Sequence, residues 1–236
     1  MTAKSGNQSV EEMFNGIAHR YDLLNHILSF GVHILWRNRL VKSVLKINPT
    51  KVLDVATGTA DVAIALAKRD RRVEIVGVDV AEKMLSVGRA KVQKLGLDHR
   101  IVLSQASAEN LPFDDSTFSA VTVAYGVRNF NDLQRGLTMM YRVLESGGSI
   151  HILEFVKPKL MVMRLVFGLY FHRILPLIGR CISDHSNAYS YLPQSVQTFA
   201  ERDDFVKMLL AAGFVSPGYS IQSFGIAAIY TAKKST

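Results

Sequence analysis

The chain has 236 residues, one cysteine (Cys181) and a formal net charge of +8 at pH 7, with a sequence pI of about 9.6. This length suits a single α/β domain carrying an elaborated cap, and a lone cysteine excludes an internal disulfide and fits a reducing compartment. The basic balance fits a nucleic acid, an anionic membrane surface or an acidic substrate, and equally a plain solubility charge.

The first residues, Met1 to Glu12, are polar and lack the apolar stretch of a secretory signal. From Val10 to Leu45, Phe14, Ile17, Ala18, Tyr21, Leu24, Ile27 and Leu28 recur at helical spacing and predict an N-terminal helical cap over about 10–45. Strands are then expected at Lys51–Val55, Glu74–Asp79, Ile101–Gln105, Phe118–Ala124 and Ser149–Phe155. Helical patterns lie between them at Asp61–Arg69, Ala81–Leu95 and Asn131–Val143, with stop signals at Gly96 and Gly147-Gly148. A last helix, Arg202–Ala212, ends at Gly213. A hairpin-like pair, Gly218–Phe224 and Ala227–Ala232, turns around Gly225. Alternating strands and helices predict a mostly parallel, doubly wound sheet.

The first strand carries the main chemical signal. It runs Lys51-Val-Leu-Asp-Val-Ala-Thr-Gly-Thr-Ala60, an apolar run ending in an acid and passing into a small-residue turn. A second run, Val76-Gly-Val-Asp-Val80, also ends in an acid. Small residues let the backbone approach a nucleoside, and an acid at the second strand end reaches ribose hydroxyls. A dinucleotide site needs G-x-G-x-x-G, because a pyrophosphate sits on the helix N-terminus. Here the pattern is Asp54-x-Ala56-x-Gly58-x-Ala60. An acid beside the turn would repel a pyrophosphate and suits a cationic ligand. The pattern points to S-adenosylmethionine, with Gly58 in the turn beside it and Asp79 on the ribose. An ordinary strand–turn–helix is the plainer alternative.

After Phe155 the alternation breaks for about 60 residues, too long for a bare loop in a compact domain. A helical insertion over about 156–200, covering the active site, is expected. Its core, Leu160 to Pro176, is strongly apolar but interrupted by Arg164, His172, Arg173 and Pro176, so it is a poor membrane span. It reads either as a surface or lipid-tail helix or as an ordinary buried cap helix. Cys181 reads as a buried small hydrophobe.

Two stretches carry a family resemblance. Tyr21-Asp-Leu-Leu-Asn25-His-Ile-Leu-Ser29-Phe-Gly-Val-His33-Ile-Leu-Trp36 resembles the N-terminal signature of the ubiquinone/menaquinone biosynthesis C-methyltransferases. Arg142-Val-Leu-Glu-Ser-Gly147-Gly148-Ser-Ile-His-Ile-Leu-Glu154-Phe resembles their second signature. Tyr125-Gly-Val-Arg-Asn129 and Tyr189-Ser-Tyr-Leu-Pro193-Gln-Ser195 are also similar, so the likeness spans about Glu12 to Thr231. The chain departs from that family at Thr57 and Ala60, where glycines are usual, at Leu24, at Ser119 and at Ala124, where a serine-like residue is usual.

The resemblance implies a class I S-adenosylmethionine-dependent methyltransferase: Rossmann-like, with a mostly parallel seven-stranded sheet and a helical cap. It implies that Thr59 contacts the amino-acid end of the cofactor and Asp79 its ribose. Ser107 and Ala108, after the third strand, would flank the adenine, beside an apolar wall of Val80 and Met84. Asp54 either orients the turn or sits near the ammonium.

The acceptor implied is a polyprenylated hydroquinone. A ring carbon ortho to a hydroxyl attacks the sulfonium methyl, and the phenolate is the stronger nucleophile, so the protein should stabilise that oxyanion or take its proton. Arg128 and Asn129, after strand four, and Tyr21 on the cap are the catalytic candidates, with His19 behind them. Arg128 reads equally well as a salt-bridge residue. His33, Trp36 and His185 read as cap packing or polar contacts. Methyl transfer needs no metal, and no Cys/His cluster has ligand spacing.

The resemblance leans towards demethylmenaquinol, with the 2-methoxy-6-polyprenyl-1,4-benzoquinol of the ubiquinone route as the alternative. The chain begins close to the first signature, which favours a cytoplasmic bacterial enzyme. Its long-tailed acceptor would place it peripherally at the inner face of the cell membrane. Oligomeric state is left open. Two rivals differ in class. A nucleic-acid methyltransferase would use the basic charge, but the chain lacks interleaved basic–aromatic patches, so no nucleic-acid partner is expected. A non-catalytic cofactor-fold partner would be marked by a broken cofactor turn, and this turn reads as intact.

Overall fold

A computed structural model describes residues 6–161, 168, 194–200 and 202–236. Its strands are β1 (Lys51–Val55), β2 (Glu74–Asp79), β3 (Ile101–Gln105), β4 (Phe118–Ala124), β5 (Leu144–Phe155), β6 (Val215–Gln222) and β7 (Ala227–Lys233). They form one sheet in the order β3-β2-β1-β4-β5-β7-β6. From β3 to β5 all neighbours pair in parallel, and β7 runs antiparallel to both β5 and β6. The expected doubly wound sheet with a C-terminal hairpin is therefore observed.

Among the described residues the helices include α1 (Gly6–Ile17), α2 (Tyr21–Leu28), α3 (Val32–Leu45), α4 (Asp61–Arg69), α5 (Glu82–Lys94), α6 (Leu133–Val143) and α7 (Arg202–Ala211), with 3-10 turns at Ala18–Arg20, Val127–Asn129 and Ser223–Gly225. Val52 to Val55 are all buried, because a central parallel strand is covered on both faces and cannot alternate with solvent. One face carries Leu53, Val55, Val121 and Val123 against Leu137 and Met140 of α6 and Phe205 and Leu209 of α7. The other carries Val52, Ile75 and Ala120 against Leu40, Val41 and Val44 of α3 and Val62, Ala63 and Leu66 of α4.

The cap expected over 10–45 thus divides. The helix α3 is one layer of the sandwich, and only α1, the first 3-10 turn and α2 reach the strand ends. Trp36 is buried and donates from its indole to Ser223 Oγ at 2.9 Å, and His33 Nδ1 lies 2.6 Å from Ser29 Oγ, so both serve packing and local polar contacts. Most of the insertion expected over 156–200 lies outside the described residues, as do most of the Leu160–Ile178 stretch, Cys181, His185 and the run from Tyr189 to Pro193.

Several boundaries differ from expectation, among them β6, expected at Gly218–Phe224 and observed at Val215–Gln222, and two have a clear local reason. The helix expected from Asn131 begins at Leu133, because the Asp132 carboxylate accepts from the Arg135 amide at 2.9 Å and caps it. The strand expected from Ser149 begins at Leu144. Phe118 pairs with Leu144 and Ala120 with Ser149, so the Gly147-Gly148 segment is an outward bulge within β5. Gly147 has φ +76°, and a Cβ on Gly148 would meet Glu145 O at 2.9 Å.

Candidate active site

In an open parallel sheet, ligands bind beyond the carboxyl ends of the strands, where the strand order reverses. That point lies here between β1 and β4. A cavity open to solvent at its mouth sits there. Ala56 and Gly58 line it after β1, Asp79 and Val80 at the end of β2, Ala108 and Glu109 after β3, and Tyr125, Asn129 and Phe130 after β4. The cap contributes Val10, Phe14 and Tyr21, and α5 contributes Met84.

The first turn has an unusual backbone. Ala56, Gly58 and Ala60 have φ of +53°, +56° and +64°. The alternating small residues of the motif are thus three left-handed positions, where a larger side chain would be strained. Gly126 supports the turn from the next strand, since a Cβ there would lie 2.6 Å from Ala56 Cβ.

Asp54 is buried beneath this turn and is not on the cavity wall. It accepts from Thr57 Oγ1 at 2.6 Å and Thr122 Oγ1 at 2.7 Å, so it ties the turn to β4. Burial raises its carboxyl to about 6, against the lowering effect of those two hydroxyls. Of its two expected roles, orienting the turn is the one the geometry provides.

Asp79 lies on the wall. One carboxylate oxygen accepts from the Gly58 amide at 2.8 Å and the other from the Ala81 amide at 2.9 Å. Burial raises its pKa, and these amides oppose the rise. The Val80 amide also bonds this carboxylate, and of the roughly four acceptor sites of an ionised carboxyl one is left for a ribose hydroxyl. Val80, Met84 and Ala108 give the apolar surface that a flat heterocycle needs. An acid, a permissive turn and an apolar slot together fit a nucleoside.

Two expected cofactor residues stand elsewhere. Thr59 is buried off the wall, and its hydroxyl donates to Asp22 Oδ1 of α2 at 2.6 Å. Lys91 Nζ bridges Asp22 at 2.7 Å and Asp61 at 2.5 Å, and Arg37 also binds Asp61. Thr59 therefore couples the turn to the cap. Ser107 is off the wall and its hydroxyl donates to Glu109, while Ala108 and Glu109 take the wall.

The acceptor candidates also separate. Asn129 and Tyr21 line the cavity, and burial raises the Tyr21 phenol above its ordinary value. Arg128 does not line it. Its guanidinium pairs with Glu154 at 2.7 Å, donates to Tyr125 O and Ser195 Oγ and stacks on Phe155, with 6% and 0% of the two charged side chains exposed. The salt-bridge reading is the one observed, because Glu154 at the end of β5 is buried and supplies the counter-charge. His19 is exposed on the first 3-10 turn. Tyr125, Glu109, Phe130 and Phe14 were missed. Strand-end position could have marked Tyr125, whereas nothing local marked Phe14.

Fold and site together define a class I, Rossmann-like methyltransferase. A profile of the ubiE/COQ5 methyltransferase family matches residues 2–234, and the chain belongs to that family. It is 45% identical over 218 residues to a demethylmenaquinone methyltransferase of Thermus thermophilus, covering 92% of this chain and 98% of that one. It is 43% identical over 228 residues to a ubiquinone/menaquinone biosynthesis C-methyltransferase of Geobacter sulfurreducens, covering 96% and 89%. A solved S-adenosylmethionine-dependent methyltransferase of Thermotoga maritima shares the fold, with a TM-score of 0.65, 16% identity and coverage of 94% and 99%.

Proposed function

We propose that this chain methylates a ring carbon of demethylmenaquinol, with S-adenosylmethionine as donor, giving menaquinol, S-adenosylhomocysteine and the ring proton. The observation that carries the proposal is one cavity lined by both the cofactor turn and the Tyr21–Asn129 pair, in a chain related end to end to a demethylmenaquinone methyltransferase. When bound, the donor supplies an electrophilic methyl on a sulfonium. Asp79 would hold its ribose, and Val80, Met84 and Ala108 its adenine. Glu109, at the edge of the same slot, is a polar partner the sequence did not suggest.

The acceptor ring would sit between the end of β4 and the cap. Asn129 can hold a ring oxygen, and Tyr21, kept protonated by burial, can donate to that oxygen in its phenolate form, which favours the nucleophilic state of the ring. Holding the ring carbon against the methyl is the main catalytic task, since positioning alone removes several kcal/mol, about 7–11 in favourable cases. The cap residues Val10, Phe14 and Tyr21 would cover that contact on one side.

A long-tailed acceptor stays in a bilayer, so the protein is proposed to work peripherally at a membrane surface. The +8 charge and the exposed Leu160 and Met161 at the start of the apolar stretch support this. Among the described residues no helix is long and apolar enough to cross a membrane. Retention on anionic vesicles at low salt is expected, and failure to co-sediment at any salt would remove this part of the proposal.

The test of the whole reading supplies the purified protein with S-adenosylmethionine and, in parallel, a short-tailed demethylmenaquinol and the corresponding benzoquinol under reducing conditions. Mass spectrometry is expected to show the naphthoquinol methylated with the larger kcat/KM. A larger value for the benzoquinol would move the chain to the ubiquinone route, and no product from either would overturn the proposal.

A further inference from the structure

Among the described residues, three buried side-chain polar atoms lack a hydrogen-bond partner: Arg37 Nε, Tyr125 Oη and Tyr230 Oη. Tyr125 alone of these three residues lines the active-site cavity. A buried hydroxyl with no partner costs stability, and such groups are rare enough to need a reason.

The Tyr125 side chain is held firmly. Its ring packs on Phe155 with centroids 4.9 Å apart, and Phe155 packs edge-on against Trp36 at 6.0 Å. Its amide donates to Leu153 O at 2.8 Å, and its φ of +59° is a left-handed, strained value for an aromatic residue. Strain and an orphaned hydroxyl at one residue on a rigid strand end are a combination expected where function overrides stability. Tyr21 and Asn129, on the same wall, are the residues proposed above for the acceptor.

We propose that the Tyr125 hydroxyl hydrogen-bonds a ring hydroxyl of the acceptor, orienting a dihydroxylated aromatic ring for methylation. This rests on the reading of the chain as a quinol methyltransferase. Burial raises the Tyr125 phenol well above its ordinary value, with Glu154 and Tyr21 adding to the rise and Arg128 and Arg37 opposing it. The group stays protonated at neutral pH and acts as a donor to the ring oxygen.

The test is Tyr125→Phe, which removes one oxygen and keeps the ring and its packing. With S-adenosylmethionine saturating and a short-tailed demethylmenaquinol varied, kcat/KM is expected to fall about tenfold, the value of one hydrogen bond. The Kd for S-adenosylmethionine should change less than about twofold on that scale, and the Tm of the unliganded variant should equal or exceed that of the wild type. An unchanged kcat/KM would overturn the proposal. So would an equal loss of donor affinity, or a lower Tm in the unliganded variant, which would mean that the hydroxyl is bonded within the protein. Wild-type protein that methylates no quinol would overturn the reading beneath it, an outcome separate from these.

Discussion

Asp79 Oδ2 accepts the Gly58 amide at 2.8 Å, so the acid at the end of β2 clamps the turn that follows β1. The residue expected to bind ribose also holds the backbone that approaches the ligand. Asp79→Ala removes both, and its effect on donor binding is expected to reach about 10–100-fold, the loss of one or two charge-assisted hydrogen bonds. Asn129→Ala should change donor affinity less than about threefold on that scale and reduce kcat/KM for the acceptor. Calorimetry with S-adenosylmethionine separates the two. Equal losses would mean that the cavity is not divided into donor and acceptor ends.

The pair Arg128–Glu154 decides what the Arg of Tyr125-Gly-Val-Arg-Asn129 does. With both charges buried, Arg128→Met leaves Glu154 unpaired and is expected to cost about 3–5 kcal/mol in urea unfolding. The double variant Arg128→Met/Glu154→Leu should recover most of it. A single variant as stable as wild type but catalytically dead would place Arg128 on the acceptor instead.

Thr59 tests the coupling between turn and cap. Thr59→Val is expected to lower stability by about 1.5–3 kcal/mol, the worth of a hydrogen bond to a charged group. The accompanying Lys91 bridges are partly solvated and add little. Hydrogen exchange should quicken in α1 and α2, with donor affinity little changed. Lost donor binding with undisturbed cap protection would restore Thr59 to the cofactor contact that the family resemblance implies.

His151 gives the fold a pH dependence. It is buried in β5, with Ser43 Oγ of α3 2.9 Å from Nδ1 and Ser149 Oγ 2.8 Å from Nε2. Burial lowers its pKa to about 4. The folded value is below the unfolded one, so the neutral ring's contribution is complete above about pH 6.5 and is lost as the pH falls towards 4, about 3 kcal/mol in all. Asp54 works the other way: its folded pKa is raised to about 6, so its contribution is present below about pH 4 and is lost as the pH rises through 6. His151→Gln should therefore flatten the acid limb of unfolding free energy between pH 6.5 and 4. An unchanged slope would contradict this assignment.

Much of the fold was legible because it rests on local pattern. The apolar runs ending in Asp54 and Asp79 marked β1 and β2, and the alternating small residues marked a turn that takes three left-handed φ values. Side-chain partners were less legible, because they are set by distant residues. Nothing near Arg128 announces Glu154, which is 26 positions away, or near Thr59 announces Asp22, 37 away. Ser107 and Ala108 were both expected beside the adenine, and of the two Ala108 is on the wall, while the Ser107 hydroxyl takes Glu109 of its own loop as a partner.

The central claim is that donor and quinol meet in the cavity between β1 and β4. The direct measurement uses S-adenosylmethionine with a deuterated methyl, a short-tailed demethylmenaquinol and purified protein, read by mass spectrometry. The expected result is a menaquinol carrying the whole deuterated methyl on its ring carbon, abolished by Asp79→Ala and reduced by Asn129→Ala. Label on a ring oxygen, or none on the quinol while the donor binds, would contradict the account.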